Sequence, residues 1–126
     1  VDGFRRLPLD ELLPQVDVLS LHCLLTEETR DLIGARELKL MKPDSLLINT
    51  SRGGLVNEQA LADALRAGEI GGAGFDVLTD EPPRNGNPLL ADDIPNLIIT
   101  PHSAWASREA RQRIVGITAA NLASLV

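Results

Sequence analysis

Four side chains that can bind or transfer charge follow short apolar runs in this 126-residue chain. They are Arg52, Asp76, Glu81 and His102. An arginine binds a carboxylate through two parallel hydrogen bonds and stays charged at any working pH. A histidine exchanges a proton near neutral pH, and a neighbouring carboxylate can hold its ring in one orientation. These residue types indicate a site that could bind a small acid and move a proton.

The apolar runs that precede these residues predict strands. The clearest run covers residues 45–49 and is closed by polar residues and then by Gly53 and Gly54, which predicts a strand buried on both faces. The other predicted strands cover residues 16–22, 71–77 and 97–100. Helices are predicted at 9–13, in a short segment capped by Thr26, at 35–41, at 57–68 and from Ser103 nearly to the end of the chain.

Strands that alternate with helices predict an α/β fold, here a Rossmann-like parallel sheet with flanking helices. Parallel strands place their carboxyl ends at one edge of the sheet, where ligands bind in open α/β folds. We therefore expect the four side chains to converge at that edge. Arg52 would bind a carboxylate, His102 would donate a proton and Glu81 would orient the histidine, which suits the reduction of a 2-oxo acid.

Each of these residues also has an ordinary structural explanation. His102 could be a helix-entry residue, and Glu81 could be a solvated carboxylate in a polar loop. Asp76 could cap a turn at the end of its strand, and Arg52 could be a surface arginine between a strand and a helix. Together, these explanations require several coincidences at one edge of the sheet.

Composition argues against several other functions. The 18 acidic and 12 basic residues give a net charge of -6, which disfavours binding to nucleic acid. The single cysteine fits a reducing compartment, and no apolar run approaches the roughly 20 residues that a membrane-spanning helix needs. We expect a cytoplasmic protein with neither a metal site nor a membrane partner. The chain begins with valine, so it is expected to be a piece of a longer protein.

Several ordered motifs give the chain a family resemblance over essentially its whole length. It resembles the second half of the nucleotide-binding domain of a D-isomer-specific 2-hydroxyacid dehydrogenase, most similar to glycerate or hydroxypyruvate dehydrogenases. The matching motifs are LSLHC at 19–23 with Thr26 and ETR at 28–30, INTSRGGLV at 48–56, GFDV at 74–77 with Glu81 and Pro82, and TPHSA at 100–104.

The resemblance implies a role for each matching residue. Arg52 would clamp the substrate carboxylate, His102 would be the acid/base and Glu81 its partner. Asp76 would meet the nicotinamide carboxamide of NAD or NADP. The residues expected to lie along the cofactor are Cys23, Thr50, Ser51, Arg52, Asp76, His102, Ala104 and Trp105.

The resemblance also implies a division of the chain and a set of partners. Residues 1–102 would form the C-terminal half of an NAD(P)-binding domain, and residues 103–126 a helix that leads back toward a substrate domain outside this sequence. The substrate would be a small D-2-hydroxy or 2-oxo acid, such as glycerate, hydroxypyruvate or glyoxylate. Members of this family are usually homodimers.

Some features depart from the family pattern or leave its branch open. Leu24 stands where the family usually has proline, and the glycine-rich phosphate fingerprint is missing, because the glycines at 71–74 enter a strand. This chain alone is therefore expected to be inactive. Trp105 is compatible with glycerate dehydrogenases and with dinucleotide-sensing corepressors of the C-terminal-binding-protein type, and it could line a substrate pocket or pack on a neighbouring domain or subunit.

Overall fold

The computed structural model describes residues 5–125 and contains one four-stranded parallel sheet. The strands are β1 (Val18–Leu21), β2 (Leu46–Asn49), β3 (Gly72–Phe75) and β4 (Leu97–Ile99). They lie in the order β1-β2-β3-β4, with Leu47 of β2 opposite Leu19 of β1 and Ala73 of β3. Each strand falls within a predicted range, and the α/β parallel architecture is confirmed.

Between residues 5 and 125, four α-helices accompany the sheet. They are α1 (Leu9–Leu12), α2 (Ala35–Leu40), α3 (Glu58–Ala67) and α4 (Arg108–Ala123). The side chain of Asn57 accepts a hydrogen bond from the Ala60 amide at the start of α3, and Gly68 ends α3 at a φ of 67° that suits glycine. Within residues 5–125, no helix combines the length and apolarity needed to cross a membrane.

The short helix predicted after Thr26 is wrong, since this segment forms a turn. The Thr29 hydroxyl accepts a hydrogen bond from the Thr26 amide at 2.7 Å and donates one to the Leu24 carbonyl at 2.7 Å. The Asp31 amide then donates to the Gly54 carbonyl at 2.9 Å. This segment therefore forms hydrogen bonds with the residues after β2 instead of the hydrogen bonds of a helix.

The last helix begins later than predicted, at Arg108 rather than at Ser103. Ser107 provides the cap, because its hydroxyl accepts a hydrogen bond from the Ala110 amide at 3.1 Å. The predicted apolar side of this helix covers nothing within the described residues. No residue of α4 is buried, and its large apolar side chains, among them Ile114 and Ile117, are more than half exposed.

The core lies on one face of the sheet. Leu47 of β2 is fully buried together with Leu38 of α2 and Leu61 of α3. The opposite face is open, since Leu46 is 41% exposed and Ile98 is 70% exposed. The prediction that β2 is buried on both faces is therefore wrong, because α2 and α3 follow successive strands of one parallel sheet and right-handed crossovers place them on the same side.

One-sided burial predicts unequal costs for two adjacent substitutions in β2. Leu47→Ala should destabilise the protein by about 2–5 kcal/mol, because it leaves a cavity in the core. Leu46→Ala should cost about 1 kcal/mol or less, because Leu46 already contacts solvent. Urea denaturation monitored by circular dichroism measures both values, and equal losses would contradict a core on one face.

Candidate active site

The predicted site residues follow three adjacent strands at one edge of the sheet. Arg52 lies three residues after β2, Asp76 directly after β3 and His102 three residues after β4. Because β3 pairs in parallel with both β2 and β4, these three carboxyl ends are neighbours. The convergence predicted from the sequence is present in the backbone.

Glu81 and His102 form a hydrogen-bonded pair. Nδ1 of His102 lies 2.6 Å from Oε2 of Glu81, and Oε1 of Glu81 accepts a hydrogen bond from the Leu78 amide at 2.8 Å. Both oxygens of the Glu81 carboxylate therefore have hydrogen-bond partners. Because the Leu78 amide holds the carboxylate, the carboxylate can hold the imidazole ring at Nδ1. In the described part of the chain, Nε2 of His102 has no hydrogen-bond partner, so this nitrogen is free to meet a ligand.

The environment of Glu81 keeps its carboxylate charged. Its burial acts to raise the pKa, but the hydrogen bonds from His102 and from the Leu78 amide outweigh that effect and hold the pKa of Glu81 below its ordinary value. A charged carboxylate accepts the Nδ1 proton of the histidine. Among the described residues, Nε2 is therefore the ring nitrogen of His102 that is not engaged by Glu81.

The side chain of Arg52 makes no hydrogen bond with this pair, but the backbone next to Arg52 packs against the loop that carries Glu81. The next residue, Gly53, packs so tightly on the loop after β3 that a Cβ atom there would lie 2.0 Å from the Leu78 carbonyl carbon. Leu78 is also the residue whose amide binds Glu81. The guanidinium of Arg52 donates to the Ser51 carbonyl at 2.7 Å and is otherwise exposed, so it can still bind an anion.

Asp76 holds the turn that carries His102. Its carboxylate is only 3% exposed and accepts hydrogen bonds from the Thr100 hydroxyl, the Ser103 amide and the Ala104 amide. Burial acts to raise the pKa of Asp76, but these three hydrogen bonds keep it below its ordinary value. Asp76 therefore acts as a turn-capping carboxylate, one of the explanations left open by the sequence.

His102 itself has a left-handed backbone, with a φ of 51°. This conformation is uncommon for a residue with a side chain, and here hydrogen bonds to Asp76 on both sides of His102 support it. The indole Nε1 of Trp105 donates to the His102 carbonyl at 2.8 Å, while the side chain of Trp105 remains 55% exposed. The turn thus presents both the imidazole and the indole at the surface.

The remaining candidate cofactor residues lie at the same edge. The Ser51 hydroxyl donates to the Cys23 carbonyl at 2.8 Å, which brings together the segments after β1 and β2. Thr50 and Ala104 are exposed on the segments after β2 and β4. The glycines at 72 and 74 lie in β3, so that run is a strand as predicted and not a phosphate-binding loop.

Asn49 is a site-forming residue that the sequence reasoning missed. It is fully buried, and its amide donates to the Arg52 carbonyl at 2.9 Å and accepts from the Ser51 amide at 3.0 Å. These two bonds shape the turn that carries Arg52. The available signal was a polar residue at the end of an apolar strand, a position suited to closing the next turn.

A groove of about 610 Å³ lies beside the Glu81–His102 pair. Its walls are mostly apolar, and its polar groups come from Glu81, Thr100 and His102. The other lining residues are Leu78, Pro82, Pro83, Leu90, Ile99 and Pro101. A few polar groups in an otherwise apolar groove are typical of a small-molecule site. Within residues 5–125, no three His, Cys, Asp or Glu side chains gather as a metal site.

Comparison with known proteins agrees with this geometry. Residues 1–104 match the family described as D-isomer specific 2-hydroxyacid dehydrogenase, NAD binding domain. Glycerate dehydrogenase of Methylorubrum extorquens is 59% identical over 104 residues, which are 82% of this chain and 33% of that protein. The chain therefore spans about a third of the length of this relative.

Two solved structures share the fold. D-lactate dehydrogenase with NAD+ from Lactobacillus jensenii has a TM-score of 0.84 and 32% identity, over 94% of this chain and 39% of that one. An acyclic imino acid reductase in complex with NADPH and D-Arg has a TM-score of 0.79 and 41% identity, over 89% of this chain and 35% of that one. The resemblance drawn from the motifs is thus confirmed, and the chain belongs to the D-isomer-specific 2-hydroxyacid dehydrogenase family, within its NAD-binding domain.

Proposed function

We propose that this chain supplies the catalytic edge of an NAD(P)-dependent D-2-hydroxyacid dehydrogenase that interconverts glycerate and hydroxypyruvate or acts on a related small acid such as glyoxylate. The observation that carries the proposal is the 2.6 Å hydrogen bond between Glu81 and His102, at the same edge of the sheet as Arg52. The name of the Methylorubrum relative supports glycerate as the hydroxy acid.

The proposed mechanism assigns one task to each side chain. Arg52 binds the substrate carboxylate with its free nitrogens and so places the 2-oxo group near the imidazole. Nε2 of His102 donates a proton to the carbonyl oxygen, while Glu81 stabilises the protonated ring through Nδ1. When bound, the nicotinamide supplies a hydride to the carbonyl carbon. The reverse reaction uses Nε2 as the base.

The residues at this edge fit the nicotinamide end of such a cofactor. Asp76 Oδ2 accepts one hydrogen bond, from Ala104, which leaves it the capacity to accept another from a carboxamide. Cys23 and Ser51 lie together after neighbouring strands, where dinucleotides bind in this fold class. Both NAD+ and NADPH accompany solved relatives, so we propose NAD or NADP without choosing between them.

The corepressor alternative is not favoured. The relative described above is named as a dehydrogenase, and the solved neighbours are a dehydrogenase and a reductase. Trp105 therefore gives no separate support to dinucleotide sensing. Its exposed indole next to His102 suits a pocket wall or a contact with another domain or subunit.

We further propose a homodimer in the cytoplasm. Helix α4 exposes a set of apolar side chains, including Ile114, Val115 and Ile117, which would contact another part of the longer protein or a second subunit. The free Cys23 is compatible with a reducing compartment. Residues 103–126, with α4 as their helix, would lead back to a substrate domain.

Replacing the histidine tests the acid/base assignment. In the longer protein that contains this sequence, His102→Gln should lower kcat/KM for hydroxypyruvate by about 10²–10⁴-fold, because the general acid is lost. His22→Gln is the matched control, since His22 bonds only to Ser20 among the described residues. Steady-state assays of NADH and NADPH oxidation give the values, and an active His102→Gln enzyme would refute the assignment.

Replacing the arginine tests carboxylate binding. Arg52→Lys keeps the charge but loses the planar fork, so kcat/KM should fall about 10–100-fold, which corresponds to one charge-assisted hydrogen bond. Arg66→Lys is the control, because Arg66 pairs with Asp93 at the surface and such pairs contribute little. Equal activity of the two variants in the same assay would contradict the role of Arg52.

The lowered pKa of Asp76 gives a testable dependence of stability on pH. A carboxyl group with a depressed pKa stabilises the fold fully above its unfolded pKa of about 3.9, and this contribution is lost as the pH falls through the folded pKa. Asp76→Asn should destabilise the chain by about 1–3 kcal/mol at pH 7, because an amide donor then faces the Ala104 amide. The gap between the urea midpoints of the two proteins should stay constant from pH 7 to about pH 4 and narrow as the pH falls further, and a gap that does not narrow in acid would contradict the prediction.

A further inference from the structure

Glu58, the first residue of α3, fastens both ends of the loop that carries Glu81. Its Oε1 accepts a hydrogen bond from the Thr79 amide at 2.7 Å, and its Oε2 accepts one from Asn87 Nδ2 at 2.8 Å. Thr79 and Asn87 are the two ends of the polar loop 79–87. A single carboxylate therefore closes this loop against the start of α3.

Residue 58 needs two acceptor oxygens, one for the donor at each end of the loop. The Asn87 Oδ1 already accepts from the Leu89 amide at 2.9 Å, so the Asn87 Nδ2 must face Glu58. At the other end, the adjacent amides of Leu78 and Thr79 bind two different carboxylates, those of Glu81 and Glu58. Residue 58 thus helps to fix the backbone from which Glu81 receives its own hydrogen bond.

Little else ties this loop to the rest of the protein by hydrogen bonds. Its other backbone bonds are local: the Arg84 amide donates to the Pro82 carbonyl, the Gly86 amide to the Pro83 carbonyl and the Leu90 amide to the Asn87 carbonyl. Among residues 5–125, side-chain hydrogen bonds join the loop to Glu58 and to His102, and the loop side chains Glu81 and Asn87 also accept from the Leu78 and Leu89 amides directly beside the loop. Loss of the Glu58 contacts would leave the Glu81–His102 pair without that support.

We propose that Glu58 is a positioning residue, which closes the loop 79–87 and thereby sets Glu81 against His102. Its effect on the geometry of this pair is a property of the chain described here. Its effect on turnover rests on the proposed function. The two effects can be measured separately.

A donor–acceptor exchange tests the geometric effect in this chain. In Glu58→Gln, the one remaining side-chain oxygen can accept from the Thr79 amide. The new side-chain NH2 group then faces Asn87 Nδ2, so that two donors meet without an acceptor. The double variant Glu58→Gln with Asn87→Asp restores complementary partners, because a carboxylate at position 87 can accept both from the new amide at position 58 and from the Leu89 amide. Glu69→Gln, just beyond the far end of α3, is the control that removes the same charge.

The readouts are the NMR signal of the His102 Nδ1 proton and the hydrogen exchange rate of the Leu78 amide, whose acceptor is Glu81. In Glu58→Gln we expect the imidazole signal to broaden or disappear and the exchange to accelerate about 10–100-fold, as for loss of a charge-assisted hydrogen bond. The double variant and Glu69→Gln should resemble the unaltered chain. Unchanged signals in Glu58→Gln, or no recovery in the double variant, would overturn the proposal.

Turnover in the longer protein provides the second measurement. Glu58→Gln should lower kcat about tenfold with a smaller change in KM, because Glu58 makes no hydrogen bond with the Arg52 guanidinium. The double variant should recover kcat. A kcat that does not respond to Glu58→Gln in an active enzyme would overturn the positioning role. If the NMR results are as expected but the unaltered longer protein has no dehydrogenase activity, the proposed function fails and the geometric role of Glu58 stands.

Discussion

The hydrogen bond between Glu81 and His102 is the interaction on which the rest of the site depends. It joins the loop after β3 to the turn after β4, and it is made by side chains 21 positions apart in the sequence. A hydrogen bond of this kind orients an imidazole only if both partners are held by other contacts. The loops at the carboxyl edge of the sheet provide those contacts.

Each partner of the pair is held in place by further hydrogen bonds, His102 through Asp76 and Glu81 through the Leu78 amide. Asp76 fixes the left-handed turn of His102 through Thr100 and the two amides that follow the histidine. The Leu78 amide fixes Glu81, and the tight approach of Gly53 to Leu78 connects that loop to the turn of Arg52. Hydrogen bonds therefore hold both the imidazole and its carboxylate partner, while the Arg52 guanidinium remains exposed.

The apolar surface of the protein is divided unevenly. One face of the sheet is covered by α2 and α3, whereas the other face and all of α4 are open in the part of the chain that the structure describes. Exposed apolar area of this extent is typical of surfaces that contact other protein. The relatives, of which this chain spans about a third, are long enough to supply such contacts.

The sequence by itself determined the four strands, the caps of α3 and the edge at which Arg52, Asp76, Glu81 and His102 converge, because these follow from local apolar patterns and from the geometry of parallel sheets. Tertiary structure decided the rest. Only the hydrogen bonds of the folded chain show that the segment after Thr26 is a turn, that Asp76 caps the turn of His102 and that Asn49 and Glu58 support the site. Those of Thr26 and Asn49 are local, whereas those of Asp76 and Glu58 join distant parts of the chain. The sequence also predicted burial of both faces of β2 where the structure buries one, because an apolar run records the character of its side chains but not which neighbours cover them.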